Sequence, residues 1–408
     1  EGTSTSPFSN RDLSKYKALY KYSDPKYPEE EGSDPPPSDE EVLFGIISSI
    51  ANLALENQHP LNRWTKVVNT MLEKIPNNPR IDKLRVINLF EADMNFFFGA
   101  LWNRKLVKHA EKKNMLGQEQ WGNRAGKCAM DAVMLKQLSF MVSKLTRTTL
   151  ISFDKDAKAC YDRMVMSLVN LLAQQIGMPA KVCKFISATM DAAHYHVKTS
   201  LGISEEHYES TVDRPLYGSG QGKKDAPSEW LVLSTLIMEV MSEKTKGAFF
   251  CDPENRLSVQ RNLDGFVDDV TAFTNDFQAS LQQLVTWETI LSNMQVAAQW
   301  WEQLLHATGG KLELSKCFFY VIDWISDKKT GRVRPATIEE TPGQIELIQS
   351  EDASTILIER KDTHSAHRTL GTWMNGTEGQ KAALIVLREK SNHFYRAFGT
   401  SAMTQRAA

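Results

Sequence analysis

The feature that most constrains this chain is a pair of neighbouring acids, Asp268 and Asp269, inside the apolar run GFVDDVTAF. Two short β-prone stretches separated by such a pair predict two strands joined by a tight turn that carries both carboxylates. Buried like charges are costly unless cations compensate them, and hard divalent cations with oxygen ligands do so. A solvated turn is the commonest explanation of an isolated Asp-Asp pair, so further acids are needed to favour a metal site.

A second acidic cluster, formed by Asp154 and Asp156, follows the β-branched and apolar stretch TTLISF. The glycine-rich loop GSGQGKKDAP lies between the two clusters and precedes an apolar helix predicted over about 229–241. Two cations held by such carboxylates can activate an attacking oxygen and stabilise a leaving one in phosphoryl transfer. Two acidic clusters at strand ends, with this loop between them, therefore favour a functional site.

The hydrophobic pattern predicts alternating helices and strands behind a polar N-terminal segment. Residues 1–40 are acidic and proline-rich, and they are expected to form a flexible lead that ends in the N-cap signal SDEE. Helices are predicted over about 42–55, 63–74, 90–114, 128–145, 163–176, 181–192, 229–241 and 278–307. Strands are predicted over about 84–89, 148–153, 194–201, 261–273 and 317–324.

Composition limits the class of protein. The net charge of −2 gives no sign of nucleic-acid binding, although residues 80–127 carry ten Lys and Arg against five Asp and Glu. No stretch approaches the roughly 18 uninterrupted apolar residues of a membrane span, and no apolar signal-peptide core opens the chain. The five scattered cysteines have no metal-ligand spacing and are typical of a reducing, intracellular compartment.

The order of these motifs resembles the palm of reverse transcriptases, above all those of non-LTR retrotransposons and group II introns. In that family's first motif a metal-binding Asp is followed five residues later by an aromatic residue, and Asp156 and Tyr161 fit this spacing in DAKACYD. The resemblance implies that Asp156 and Asp268 hold the metal ions and that Asp269 supports them. Tyr161 would exclude a ribose 2′-hydroxyl, and Asp154, which does not fit the spacing, is expected to be structural or to support the ligands.

Further segments are similar to later motifs of the same family. Gln221 and Gly222 in GSGQG match its second motif, in which the backbone approaches the template–nucleotide pair closely. Lys316 in GGKLELSKCFFY matches the fourth motif, where a lysine protonates the departing pyrophosphate; an exposed lysine without a special role is the alternative. The segment LGTWM at 370–374 resembles the primer grip.

Two upstream segments also resemble the family. Lys83 and Arg85 in KLRVI match a strand whose basic residues hold the incoming triphosphate. Arg85 is the favoured contact, because its planar guanidinium suits phosphate. Arg124 in EQWGNRAGK matches the segment that lies against the template, so it is expected to contact the template or the triphosphate.

Two histidines invite a separate metal interpretation. His194 and His196 alternate along one predicted strand and would face the same side. The family has an ordinary strand at this place, so a metal site is not expected there.

The resemblance covers about 75–395 and implies an α+β right-hand polymerase. Helical fingers are expected over 41–147, a palm of small antiparallel sheet backed by helices over 148–374, and an incomplete helical thumb over 375–408. Two Mg²⁺ ions, or Mn²⁺, would be the cofactors. An RNA template, a DNA or RNA primer and dNTPs would be the partners, with no membrane involved.

The chain would thus be the RNA-directed DNA polymerase of a retrotransposon, acting inside the cell in the nucleus or the cytoplasm. Its start without Met and its abrupt end suggest a piece of a longer polyprotein. One alternative is an RNA-dependent RNA polymerase, which Tyr161 disfavours. The other is a catalytically inactive or domesticated RNA-binding remnant, which the intact Asp156, Asp268 and Asp269 disfavour.

Overall fold

The computed structural model describes residues 38–399 except 76, 79, 81, 82, 255, 279–282, 329 and 378–380. The expected flexible lead over 1–40 therefore lies almost wholly outside the described residues, and so do residues 400–408 of the expected thumb. Within the described ranges no helix is long and apolar enough to cross a membrane.

Helices and small sheets alternate along the chain, so the fold is mixed α+β. The helices are α1 (Asp39–Asn57), α2 (Ala92–Gly99), α3 (Lys108–Lys112), α4 (Ala129–Thr146), α5 (Cys160–Arg163), α6 (Met166–Ile176), α7 (Ala180–Asp191), α8 (Ala226–Lys244), α9 (Trp287–Ala307) and α10 (Lys381–Gly399). A π-helical stretch over Ala100–Val107 joins α2 to α3, and 3₁₀ turns lie at Asn62–Thr65 and Leu314–Lys316.

Within the part of the chain that the structure describes, the strands form one four-stranded sheet, one five-stranded sheet and several two-stranded ribbons. They are β1 (Lys66–Glu73), β2 (Leu84–Leu89), β3 (Leu150–Lys155), β4 (His194–Thr199), β5 (Gly202–Glu209), β6 (Ala248–Cys251), β7 (Ser258–Arg261), β8 (Leu263–Phe266), β9 (Asp269–Asn275), β10 (Phe277–Gln278), β11 (Gln283–Leu284), β12 (Phe318–Ile322), β13 (Trp324–Ser326), β14 (Val333–Pro335), β15 (Glu346–Ile348), β16 (Thr355–Leu357), β17 (Glu359–Arg360), β18 (His367–Thr369) and β19 (Thr372–Met374).

The chain divides into two compact units, each built from two separate stretches of sequence. Unit 1 comprises Glu1–Leu116 and Tyr161–Leu233, and unit 2 comprises Gly117–Cys160 and Ser234–Ala408. The expected division into fingers, palm and thumb stays a prediction.

Unit 1 is built on the sheet of order β2-β1-β4-β5. Strand β1 pairs antiparallel with β2 and parallel with β4, and β5 pairs antiparallel with β4 at the edge. Its core is aromatic, since the ring of Trp64 lies 6.2 Å from that of Phe185 and 6.4 Å from that of Phe98. Edge-to-face contacts of this kind stabilise a core by about 0.5–1.5 kcal/mol beyond the area they bury.

The helix expected over about 63–74 is wrong, because Lys66–Glu73 form strand β1. Val67, Val68 and Asn69 are almost fully buried, and β1 has hydrogen-bonded neighbours on both sides. A central strand that is buried on both faces lacks the alternation by which a short apolar strand can be told from a helix.

Unit 2 is built on the sheet of order β17-β12-β3-β9-β8, in which all neighbours are antiparallel except β12 and β17. Helix α9 packs against β9 and β3, and α4 packs against β8. Strands β3 and β12, both predicted, are buried along their length and contact a core that includes Phe140, Phe273 and Tyr320. Helix α9 begins at Trp287, later than predicted, because the residues before it pair as β10 and β11.

Candidate active site

The predicted Asp-Asp hairpin is present in unit 2 as β8 and β9. Phe266 pairs with Asp269, which leaves Val267 and Asp268 as the two residues of the turn. Val267 has a φ of 60°, in the left-handed region that β-branched residues rarely adopt. A backbone conformation of this kind costs about 1–3 kcal/mol and persists only where neighbouring groups hold it.

The side chain of Gln120 holds this turn. Its Oε1 accepts a hydrogen bond from the N–H of Val267 at 3.0 Å, and its Nε2 donates to the carbonyl oxygen of the same residue at 3.1 Å. Oε1 also accepts from the N–H of Gly122 at 3.0 Å, and Nε2 also donates to Oγ of Ser234 at 3.1 Å. Because Gln120 is fully buried, these bonds form away from water and fix the position of Asp268.

The backbone of the same segment packs closely on the hairpin. The N–H of Trp121 donates to the carbonyl oxygen of Gly265 at 2.7 Å. A Cβ atom on Gly122 would come within 2.5 Å of the backbone nitrogen of Val267. Glycine therefore allows an approach that any side chain would block, so close packing explains the glycine after the tryptophan in EQWGNRAGK.

Arg124 lies in this segment and is only 9% exposed. Its Nη1 donates to the carbonyl oxygens of Gly117 at 2.7 Å and Gln120 at 3.3 Å. These bonds stabilise the loop whose glutamine holds the turn. The expected contact of Arg124 with template or triphosphate stays a prediction.

Asp156 follows directly on β3, at the hairpin end of the sheet. Strands β3 and β9 are antiparallel neighbours, and their register places Asp156 and Asp269 at the same end. The ammonium of Lys316 donates to the carboxylate of Asp156. The N–H of Glu313 donates to the carbonyl oxygen of Asp156 at 2.9 Å, which ties the segment of Lys316 to the end of β3.

Two carboxyl groups of this cluster, those of Asp268 and Asp269, have a raised pKa. Removal from water and the charge of Asp156 raise the pKa of Asp268. Asp269 keeps access to solvent, yet crowding by protein atoms and the charges of Asp268 and Asp156 raise its pKa to about 6. Partial burial alone would lower the pKa of Lys316, but its hydrogen bond to Asp156 and the surrounding acids raise it. The cluster thus carries more negative charge than Lys316 neutralises.

These side chains fit a divalent cation that prefers oxygen ligands. Mg²⁺ is typically bound by one or two protein carboxylates together with substrate phosphates, and Mn²⁺ accepts similar ligands. Asp156, Asp268 and Asp269 offer only oxygen atoms, lie at one end of a sheet and repel one another. The predicted Mg²⁺ site therefore has suitable ligands, and its occupancy stays a prediction.

Asp154 has different surroundings from Asp156, as expected. It is buried within β3, and its Oδ1 accepts hydrogen bonds from Oγ1 of Thr271 at 2.9 Å and from the ammonium of Lys136. These partners belong to β9 and α4. Asp154 therefore fastens β3 to the elements on either side of it.

A cavity of about 490 Å³ opens at this end of the sheet. Its lining includes acids, cations and an apolar side chain, among them Asp154, Asp156, Asp269, Lys136, Lys316 and Leu370. A volume of this order is sufficient for a small-molecule ligand. Leu370 lies at the turn between β18 and β19, so the LGTWM segment expected to grip a primer borders the same cavity.

In unit 1 the glycine-rich loop is docked on β2. The N–H of Asn88 donates to the carbonyl oxygen of Gln221 at 2.7 Å, and the N–H of Gln221 donates to the carboxylate of Asp162 at 3.1 Å. Gly222 has a φ of 118°, and a Cβ atom there would overlap the carbonyl oxygen of Asn88. The carbonyl oxygen of Tyr161 accepts a hydrogen bond from the same loop at 2.7 Å. The structure thus brings Gln221 and Gly222 next to the helix that carries Tyr161.

The two basic residues expected to hold a triphosphate, Lys83 and Arg85, are exposed at β2 of unit 1. Unit 2 contains the three predicted metal-binding acids together with Lys316 and Arg124. The other residues predicted to contact sugar, template or triphosphate lie in unit 1. Their roles stay predictions.

Sequence reasoning missed the residues that hold the acidic cluster in place. Gln120 lies in the EQWGNRAGK segment, but its bond to Val267 joins positions 147 residues apart, beyond any local pattern. Lys136 gave a clearer signal, because it lies on the buried side of α4 with Ala132 and Phe140. Because burying an unpaired charge is costly, a lysine on an apolar helix face needs an acidic partner. Here that partner is Asp154 of β3.

No family model and no curated protein matches this sequence. Among solved structures, a telomerase from Candida tropicalis in complex with the TWJ fragment of telomeric RNA is 13% identical, with a TM-score of 0.40, over 73% of this chain and 50% of that chain. An apo telomerase from the same organism, truncated from its C-terminal domain, is 14% identical, with a TM-score of 0.41, over 72% of this chain and 60% of that chain. This chain thus spans 50% and 60% of the two telomerase chains, and its function is inferred from its own residues.

Proposed function

We propose that this chain is the RNA-directed DNA polymerase of a retroelement, which copies an RNA template by extending a DNA or RNA primer with dNTPs. The observation that carries the proposal is the convergence of Asp156, Asp268 and Asp269 with Lys316 at one end of the unit 2 sheet. The cavity of about 490 Å³ beside them supplies room for a substrate.

In the proposed reaction the primer 3′-hydroxyl attacks the α-phosphate of a dNTP and pyrophosphate leaves. Asp156 and Asp268 would hold two Mg²⁺ ions, or Mn²⁺, with support from Asp269. When bound, such ions stabilise charge on both the attacking and the leaving oxygen. The chain itself contributes positioning and fixed charge: Gln120 keeps Asp268 in place, and Lys316 holds a proton that it gives to the departing pyrophosphate.

The motif pattern assigns further residues to the template, the primer and the nucleotide. They are Lys83, Arg85, Arg124, Tyr161, Gln221 and Gly222. Tyr161 would exclude the ribose 2′-hydroxyl, and Arg85 would neutralise the triphosphate. The whole chain would form a right hand, with fingers over 41–147, palm over 148–374 and the start of a thumb over 375–408.

Primer extension tests the proposal. Poly(rA) annealed to oligo(dT) is incubated with the protein, Mg²⁺ and either dTTP or UTP. Extension is expected with dTTP alone, and Asp268→Asn should abolish it, because this change removes one charge of the metal site and keeps the side-chain shape. Asp327→Asn, which changes an exposed acid away from the cavity, is the matched control and should leave extension intact.

Three results would contradict the proposal. Extension with UTP would identify an RNA-dependent RNA polymerase and would remove the assigned role of Tyr161. Extension that survives Asp268→Asn would remove the assigned metal site. Absence of extension, with RNA binding retained in a gel-shift assay, would identify an RNA-binding remnant.

A further inference from the structure

A group of histidines lies on strands β4 and β5 of unit 1, outside the acidic cluster. The antiparallel register pairs His194 with Glu209 and His196 with His207. Since residues two apart on a strand share a face, all four side chains project from one face of the hairpin. The intervening tyrosine pair stacks on the opposite face, with ring centroids 5.2 Å apart.

Three of these side chains converge on one point. Nε2 of His194 lies 3.2 Å from Oε2 of Glu209, and Nε2 of His207 lies 3.8 Å from the same oxygen. One ligand atom from each of the three lies within 4.8 Å of the other two. Tetrahedral coordination of zinc, with bonds of about 2.0–2.2 Å, places ligand atoms about 3.4 Å apart. Small side-chain rotations are therefore sufficient to form a metal site.

We propose that His194, His207 and Glu209 bind a Zn²⁺ ion. Two imidazoles and a carboxylate suit borderline transition-metal ions, whereas Mg²⁺ prefers oxygen ligands alone. The three side chains are 40–49% exposed, so an ion reaches them directly from solvent and water completes its coordination. The prediction that this strand holds no metal rested on His194 and His196 alone. The other two proposed ligands, His207 and Glu209, lie on β5 and reach this face through the register of the hairpin.

The neighbouring side chains modulate this site. Nδ1 of His196 lies 2.9 Å from the carbonyl oxygen of Ser204, and a ring nitrogen that donates to a carbonyl leaves the other nitrogen free to bind a metal. The ring of His196 lies 5.5 Å from that of His207, so it is the candidate to replace the water ligand. Lys66 opposes binding, because it pairs with His194 in parallel register and places a positive charge on the same face.

The ion would fasten an edge strand. Among the strands that the structure describes, β5 lies at the edge of the unit 1 sheet and pairs only with β4, and its residues are mostly exposed. A metal held by ligands from both strands binds the folded hairpin and not the unfolded chain, so it stabilises the fold by mass action. Zinc binding here does not depend on polymerase activity, because none of its ligands belongs to the acidic cluster.

Zinc titration of the full chain tests the proposal. The protein, without a polyhistidine tag and dialysed against EDTA, is titrated with Zn²⁺ in competition with a chromophoric chelator. We expect one Zn²⁺ per chain at this site and a rise in the midpoint of thermal unfolding. His207→Ala and Glu209→Gln should each weaken binding at least about tenfold, since even the partners of metal ligands have effects of that size. His306→Ala removes an exposed histidine from α9 and should bind zinc as the wild type does.

Two results would overturn the site. One is unchanged zinc affinity in both His207→Ala and Glu209→Gln, and the other is displacement of the zinc by an equal concentration of Mg²⁺. Far-UV circular dichroism checks that these variants fold. We expect them to fold, because the side chains of His207 and Glu209 are partly exposed. Lys66→Gln provides an independent readout: it removes the opposing charge and should tighten zinc binding, which loss of structure would not do.

Discussion

Lys223→Met should destabilise the protein strongly, because it removes the cation from a buried cluster of three charged residues. Nζ of Lys223 lies 3.1 Å from Oδ2 of Asp225 and 3.0 Å from Oε1 of Glu229, and all three side chains are fully buried. The ammonium also lies 5.7 Å from the centre of the Phe98 ring. Methionine fills a similar volume without charge, so both carboxylates would stay in the interior without this counter-charge.

The magnitude follows from the number of partners that are lost. Removing one member of a buried ion pair costs about 3–5 kcal/mol. Since one ammonium serves two carboxylates here, the loss of unfolding free energy should lie at the upper end, about 4–5 kcal/mol. Protein domains are typically stable by about 5–15 kcal/mol, so the variant should lose a large fraction of its stability.

The loss should also depend on pH. Burial raises the pKa of Asp225, and the ammonium of Lys223 holds back part of that rise. A carboxyl whose pKa is higher in the folded chain destabilises the fold above the unfolded value of 3.8, and this penalty disappears as the pH falls below it. Without the ammonium the pKa of Asp225 should rise further. Since the pKa of Asp225 in the wild type is already raised to about 7, the two proteins differ in its protonation only above neutrality. The deficit of Lys223→Met should therefore be largest in alkaline solution, shrink as the pH is lowered towards about 7, and stay nearly constant below it.

Urea unfolding followed by circular dichroism, at about pH 5 and about pH 8, measures both effects. Lys224→Met is the matched control: this adjacent lysine is exposed and lies over the Phe96 ring, and its loss should change stability by only about 0.5 kcal/mol. Combining Lys223→Met with Asp225→Asn and Glu229→Gln should recover most of the loss, because these three positions then carry no charge. A Lys223→Met protein as stable as the wild type, or one whose deficit grows in acid, would refute the reasoning.

Further substitutions probe the acidic cluster and its surroundings. Gln120→Leu should lower kcat of primer extension about 100-fold and change KM for dTTP far less, because it frees the turn that carries Asp268; steady-state kinetics separate the two constants. Gly122→Ala should destabilise the protein by about 1–3 kcal/mol in urea unfolding, because the new Cβ would overlap Val267. Lys316→Met should slow single-turnover extension at least about 100-fold, and Lys316→Arg, which keeps the charge but does not release a proton, should recover only part of the rate. Tyr161→Ala should raise UTP incorporation relative to dTTP in parallel extension assays.

Local sequence was sufficient for elements whose partners are near in the chain. The strand predicted over 84–89 coincides with β2, and the predicted N-cap before α1 is confirmed by reciprocal hydrogen bonds between Ser38 and Glu41. The prediction of a helix over 63–74 was wrong for a physical reason. Strand β1 pairs with β2 and with β4, and the second of these partners lies more than a hundred residues away, so pairing decides a conformation that local propensity leaves open.

The convergence of the three acids with Lys316 followed from motif order, whereas the burial of Lys223 could not be predicted. Lys223 and Lys224 are adjacent and chemically identical, yet one is fully buried between two acids and the other is exposed. His207 joins His194 only through the register of the hairpin. The burial of one lysine and not the other depends on tertiary packing. The side to which His207 points depends on strand register, and a shift of the register by one residue would turn it to the opposite face of the sheet.

The bond between Gln120 and Val267 also sets the order in which the molecule can be assembled during synthesis. The ribosome makes the glutamine first and its partner 147 residues later, with the second stretch of unit 1 made between them. Closing a loop of that length costs conformational entropy, which only the completed sheet offsets. Until then nothing holds the turn in its left-handed conformation, so the acidic cluster is among the last parts to take shape. A copy of the gene cut short before the hairpin would keep Asp156 but lose Asp268, Asp269 and Lys316 together, so the site could not form.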